Sequence, residues 1–355
     1  MNGWELEQLI ETPEELQKWL SLSGDEVSSL LGAQSSALPL RITPFYARLI
    51  AACENEQDAA ALRKMAVPLA AETKLHPAES LDPLAEERYQ ITPRMVHRYR
   101  DRVLILATDS CALYCRHCFR RRFTGEGAGA LSSNELEEIC SYLGTHPEIH
   151  EVLISGGDPL MLNDTRLERV LGRLRSVRDG LVLRVSTRMP VVLPARVSSA
   201  LVDLLRRMAP VWLVVQINHP AELSASFDSG IRELIEAGIP VLSQSVLLKG
   251  VNDDPETLMT LFYGLIERGI RPYYLFQGDL AAGTAHFRVN LKRAVEIYSQ
   301  LQRQVSGLAL PNFAVDLPDG GGKIRLHQGS IAGETEEGYL LRDAEGREYY
   351  YPNEE

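Results

Sequence analysis

Residues 103–118 read VLILATDSCALYCRHC. The first six, Val103–Thr108, are apolar or β-branched, with the composition and length of a buried strand. Asp109, Ser110 and a CxxxCxxC cluster (Cys111, Cys115 and Cys118) follow at once. The same order repeats downstream. Strand-like runs occupy Glu151–Ser155, Leu181–Thr187, Val211–Ile217, Val241–Val246 and Pro272–Phe276, and amphipathic helical patterns fill 132–144, 163–176, 196–208, 228–237 and 255–269. Strands recurring about every 30 residues with a helix between them imply right-handed crossovers and a parallel sheet. Six such units predict an α/β fold, a partial (β/α)6 TIM-like barrel, with an N-terminal helical region and a short C-terminal extension. No GxGxxG follows the first strand, which disfavours a doubly wound dinucleotide-binding sheet.

Upstream, amphipathic stretches at 4–20, 25–33, 44–53 and 55–71 predict helices, and the Pro-punctuated segment 72–95 is expected to wrap the next domain. The expected division is 1–95 helical region, 96–290 barrel core, and 291–355 C-terminal segment, closed by a hairpin at 339–351. Each predicted strand carries polar residues at or just past its C-terminal end: Asp109-Ser110, Gly156-Gly157-Asp158, Ser186-Thr187-Arg188, Gln216 with Asn218-His219, Gln244-Ser245, and Gln277-Gly278-Asp279. In a parallel barrel these ends converge on one mouth, where catalytic groups sit.

Composition bounds the function. Hydrophobic residues make up 45% and charged residues 24% of the 355, an ordinary globular mix. A net charge of −11 argues against nucleic acid as a partner, because a phosphate backbone needs a basic face. No apolar run reaches the ~18–20 residues of a membrane span. The acidic start MNGWELEQLIETPEELQKWL lacks a signal pattern, so a soluble, cytoplasmic protein with no membrane partner is expected. Five cysteines with one tight cluster do not resemble a secreted disulfide framework.

Thiolates are soft ligands for iron–sulfur clusters and zinc. Three of them on a four-iron cube leave one iron open to a small molecule. The alternatives are a zinc knuckle completed by His117, or three unrelated cysteines. Gly156-Gly157-Asp158 lets backbone approach a ligand and offers a carboxylate to an ammonium, or is an ordinary βα turn. Only six of the 37 basic residues are Lys. Lys323 follows Gly320-Gly321-Gly322, a tract flexible enough to let a Schiff-base lysine swing. Its alternatives are an exposed turn, with Lys249 as the rival lysine at the mouth. Arg98, Tyr99 and Arg102 precede the first strand and could equally be a strand-entry charge cluster. Asp279 and Asp316 could be loop-capping carboxylates.

The CxxxCxxC after a first barrel strand resembles the radical SAM superfamily. DSCALYCRHCFRRRF, VLISGGDPL, STRMPVVLP, QINHP, QSVLLKGVND, RPYYLFQGDL, HFR and VDLPDGGGK sharpen the resemblance to the lysine 2,3-aminomutase family, over roughly residues 90–350. That resemblance implies an isomerase that uses a 4Fe-4S cluster, S-adenosyl-L-methionine (SAM) and pyridoxal 5′-phosphate (PLP) to turn L-lysine into β-lysine through a 5′-deoxyadenosyl radical. It implies that Cys111, Cys115 and Cys118 hold the cluster, and that Gly156, Gly157 and Asp158 meet the methionine amino group. Lys323 is then the PLP lysine, Arg98, Tyr99 and Arg102 are PLP contacts, and Gln244 joins the cofactor-binding set. Arg120 is the clamp on the substrate α-carboxylate, and Asp279 with Asp316 holds its ε-ammonium. A flavodoxin or ferredoxin donor and a homo-oligomer are expected. Beyond Cys140 the chain lacks the extra cysteines with which clostridial relatives bind intersubunit zinc. A branch acting on elongation factor P, a mutase for another amino acid, and a non-enzymatic iron–sulfur or zinc scaffold are the competing readings.

Overall fold

A computed structural model describes residues 9–32, 38–125, 127–327, 329–343 and 346–352. The N-terminal helices are α1 (Pro13–Leu16), α2 (Gly24–Gly32), α3 (Pro44–Ala51) and α4 (Glu56–Ala66). The helix expected over 4–20 is reduced to the single turn α1. Pro13 has no N–H to continue a helix from upstream, and Thr12 caps the new start. Residues 4–8 and 33 of the expected helices lie outside the described residues. The helix expected to reach 71 stops at Ala66, because Pro68 forces Val67 into extended backbone (φ −97°, ψ 128°).

The sheet begins with a hairpin of β1 (Gln90–Thr92), which lies in the segment expected only to wrap, and β2 (Met95–Tyr99), which runs past its end. Then come β3 (Arg102–Thr108), α5 (Ser133–Thr145), β4 (Glu151–Gly156), α6 (Asp164–Arg175), β5 (Val182–Thr187), α7 (Met189–Val192) and α8 (Ser199–Arg207). The chain continues through β6 (Val211–Gln216), α9 (Ala225–Glu236), β7 (Val241–Leu247), α10 (Pro255–Glu267), β8 (Arg271–Gln277), α11 (Leu291–Gln304), β9 (Asn312–Leu317) and β10 (Gly322–Arg325). These strands form one open ten-stranded sheet in strict sequence order, with β1 and β10 at its edges. Neighbours from β3 to β9 pair in parallel. Seven parallel strands therefore stand where six were expected. The additional one, β9, is a six-residue run closed in by Pro311 and Pro318. A separate antiparallel sheet, β11 (Ile331–Glu334), β12 (Gly338–Arg342) and β13 (Glu348–Pro352), contains the expected hairpin plus one strand.

Each long helix between strands starts on a residue whose side chain accepts an orphan backbone N–H: Ser132, Asn163, Ser198, Ser224, Asp254 and Asn290. These caps end the loops leaving the strand C-termini. Helix faces such as Leu201, Val202, Leu204 and Leu205 of α8 are buried. Strand side chains alternate between faces. In β4, Val152 and Ile154 belong to the buried core, whereas Glu151, Leu153 and Ser155 line a cavity on the other face. No helix among the described residues is long and apolar enough to cross a membrane.

Candidate active site

One cavity of about 410 Å³ opens along that inner face. Its wall contains every residue to which the family resemblance gives a role: Cys111, Cys115, Cys118, Gly156, Gly157, Asp158, Arg98, Tyr99, Arg102, Gln244, Arg120, Asp279, Asp316 and Lys323. They come from β2, β3, β4, β7, β9, β10 and the loops after β3, β4 and β8, so parallel pairing brings together residues far apart in the chain.

The cysteine loop leaves β3 and is pinned from outside by the N-terminal segment. Tyr114 N–H donates to the Arg41 carbonyl (3.0 Å) and Arg116 N–H to the Met65 carbonyl (2.9 Å). Arg116, fully buried, grips Glu72 with Nε (2.8 Å) and Nη2 (2.5 Å). Burial pushes the Cys111 and Cys118 thiols up from their ordinary range. His117 contacts Asn218 (3.2 Å) and meets the Phe287 ring edge-on. Among the described residues no three His, Cys, Asp or Glu side chains form a site for a single metal ion.

The glycine pair also has a packing role. A Cβ on Gly156 would collide with the Thr108 carbonyl, and one on Gly157 with the Ser110 carbonyl. Gly156 also has φ +116°. The pair thus lets the β4 loop press against the start of the cysteine loop. The Asp158 carboxylate is already engaged, accepting from Thr187 Oγ1 (2.7 Å), Arg188 N (2.7 Å) and Leu160 N (3.0 Å). It ties the β4 and β5 loops together. Burial raises its pKa against those hydrogen bonds.

Lys323 lines the same cavity, in β10, paired in register with Asp316 of β9. Its Nζ is 3.5 Å from Asp316 Oδ2 and 4.0 Å from the centre of the Phe276 ring, with Tyr274 at 4.9 Å. Burial holds the amine below the usual lysine range, against the pull of Asp316 and Asp279. Gly320 and Gly322 take positive φ (75° and 91°). A Cβ on Gly320 would lie 2.8 Å from the Tyr89 ring, and one on Gly321 would strike Tyr349 of β13. Gly320 and Gly321 thus lie against Tyr89 and Tyr349 with no room for a side chain, and the positive φ of Gly320 and Gly322 favours glycine. Lys249 is exposed and off this cavity.

Arg98 reaches Asp316 with Nη1 (3.8 Å), while its Nε and Nη2 are buried with no hydrogen-bond partner. Arg102 stacks on the Tyr99 ring at 3.9 Å. Arg120 gives Nε (3.0 Å) and Nη2 (2.6 Å) to Glu86, and Nη1 reaches Ser155 Oγ (3.4 Å). Arg121 and Arg122 turn away to Glu72 and to Asp82 and Glu87. Asp279 is pushed up to about 8, first by burial and then by Asp316. Gln244 lies within β7, in register with Gln216 and Tyr274.

Sequence reading passed over Glu86, Arg184 and Glu222. Arg184 pairs with Glu151 across the inner face (2.8 Å). Charged residues inside the strand runs EVLISG and VLRVST were the available signal, because strands buried on both faces read as continuous apolar runs. Arg188, noticed only as part of a polar cluster, donates to Cys115 Sγ (3.0 Å) and to Glu222 (2.5 Å).

Comparison with known proteins agrees with this geometry. A family profile described as the Radical SAM superfamily matches residues 105–262, and one described as Lysine-2,3-aminomutase matches residues 298–355. The chain is 39% identical to the L-lysine 2,3-aminomutase of Acetoanaerobium sticklandii, over 97% of this chain and 82% of that protein. It is 37% identical to the L-lysine 2,3-aminomutase of Bacillus subtilis, over 99% of this chain and 74% of that one. It is 31% identical to the glutamate 2,3-aminomutase of Clostridioides difficile, over 97% and 80%. With its cysteine loop and Lys323 lining one shared cavity, the chain belongs to the lysine 2,3-aminomutase family of radical SAM proteins.

Proposed function

We propose that this chain moves the α-amino group of L-lysine to the adjacent β-carbon, giving β-lysine, with a 4Fe-4S cluster, SAM and PLP. Radical SAM aminomutase activity follows from family membership. The observation that carries the finer reading is that Lys323, Asp279 and Asp316 share one cavity with Cys111, Cys115 and Cys118.

The residues present fit the cofactors. Three thiols on one loop are the soft donor set of an iron–sulfur cube with one corner free. The unpartnered buried Nε and Nη2 of Arg98 suit a dianionic phosphate, which would satisfy donors otherwise costly to bury. When bound, the cluster and SAM supply a carbon radical able to take a hydrogen atom, and PLP supplies the carbonyl that carries the migrating nitrogen.

The chain's own residues bind and orient. Burial holds the Lys323 amine below its ordinary range, which favours the neutral, nucleophilic form relative to an exposed lysine. Glu86 holds the Arg120 fork from one side and so fixes its direction for an α-carboxylate. Asp279 and Asp316 make a pair of carboxylates that a cation relieves, which favours the ε-ammonium of lysine over the side chain of glutamate. Walls of Leu153, Val246 and Phe276 limit water around a reactive radical. The seven parallel strands and their shared cavity support a partial barrel, and the division at 95 and 290 remains our reading of the chain. An external flavodoxin- or ferredoxin-type donor and a homo-oligomer complete the proposal.

The test is anaerobic incubation of reconstituted protein with L-lysine, SAM, PLP and dithionite, followed by amino-acid analysis. β-Lysine is expected. Turnover of glutamate but not lysine would refute the substrate assignment.

A further inference from the structure

Arg188 is the buried cation that the family motifs leave without a task. It follows β5 directly, is 5% exposed, and its backbone N–H is fixed by Asp158 (2.7 Å). One prong of the guanidinium, Nη1, donates to Cys115 Sγ at 3.0 Å. The other, Nη2, donates to Glu222 Oε1 (2.5 Å) and to Tyr46 Oη (3.3 Å). Tyr46 itself donates to Glu222 Oε1 at 2.9 Å. Glu222 is fully buried, and its second oxygen accepts from the backbone N–H groups of Asn218 (2.7 Å) and His219 (3.1 Å). The cation is therefore held on β6-loop backbone through Glu222 and faces a sulfur of the cysteine loop, 73 residues away in sequence.

This has a defined electrostatic consequence. A cluster that accepts one electron from an external low-potential reductant gains a negative charge, and no bond need form or break. Hydrogen bonds to ligand sulfur and nearby fixed positive charge stabilise that reduced state and raise the reduction potential. Burial keeps the effect from being screened by water. Glu222 opposes it, since its charge subtracts from the field at the sulfur.

Building on the cluster reading above, we propose that Arg188 is a positioning residue for Cys115 that raises the reduction potential of the cluster, with Glu222 as the counter-charge that limits the rise. The chain-internal triad Tyr46–Glu222–Arg188 is then a tuning device for electron entry, separate from the residues that touch substrate.

The experiment is a redox titration, followed by electron paramagnetic resonance, of anaerobically reconstituted wild type, Arg188→Met, Arg188→Lys and Glu222→Gln. Iron and sulfide content and circular dichroism are measured on the same samples. Arg188→Met is expected to shift the midpoint potential below wild type and Glu222→Gln above it, with Arg188→Lys between Met and wild type. If Arg188→Met does not fold, the sign for Glu222→Gln and the lowering in Arg188→Lys carry the test. Loaded variants whose potentials do not move, or Met and Gln variants that move in the same direction, overturn the role of Arg188. Wild type that takes up neither iron nor sulfide overturns the cluster reading and this proposal with it.

Discussion

Asp279 turns the choice of substrate into a pH measurement. Burial and the neighbouring Asp316 push its carboxyl up to about 8, from an ordinary value of 3.8. In the substrate-free protein Asp279 thus holds its proton through neutral pH. An ε-ammonium entering the pair needs the carboxylate, so that proton must leave when lysine binds. Below pH 8 the ionised fraction falls about tenfold for each pH unit, and the apparent affinity falls with it. The sign is fixed: affinity for lysine rises with pH up to about 8 and then levels. Norleucine supplies the control, because it has the same α-amine and chain but no ammonium. The ratio of norleucine to lysine dissociation constants, read from cofactor absorbance in PLP-loaded protein from about pH 6 to about pH 9, should climb roughly tenfold per unit and flatten above 8. Asp279→Asn should remove the slope and weaken lysine binding by roughly 30-fold or more, the ~2–5 kcal/mol cost of removing one partner from a buried charge pair. A flat ratio in wild type, or a slope surviving in Asp279→Asn, would refute the placement of the ammonium at this pair.

Three further outcomes follow from the packing. Arg98→Met removes two unpartnered buried donors, so PLP affinity should drop roughly tenfold to a hundredfold, the ~1.5–3 kcal/mol of a charge-assisted hydrogen bond, in a fluorescence titration. Gly157→Ala drives a Cβ into the Ser110 carbonyl, and iron loading on reconstitution should fall well below wild type while the circular dichroism spectrum stays native. Arg116→Met leaves buried Glu72 with Arg121 as its remaining guanidinium partner, and should cost roughly 3 kcal/mol of stability, read as a lower urea midpoint.

What the amino-acid order determined was local. Apolar runs of strand length separated by helical periods were enough for the order of strands β3 to β8 and their helices, because period and length are properties of neighbouring residues. The CxxxCxxC spacing and the lone lysine after three glycines likewise announced their chemistry without a partner in view. β9 escaped because six residues between prolines become a strand only by pairing with β8, and β2 because HRYR looks like charged surface until Arg98 is seen facing the cavity. The reason for the glycines was also invisible: their neighbours are Ser110, Tyr89 and Tyr349, set by distant packing. Arg188 meeting Cys115 and Glu86 meeting Arg120 arise when the pairing of the sheet carries remote segments to one face. Such contacts depend on long-range register, which no local pattern encodes, and only the folded sheet decides them.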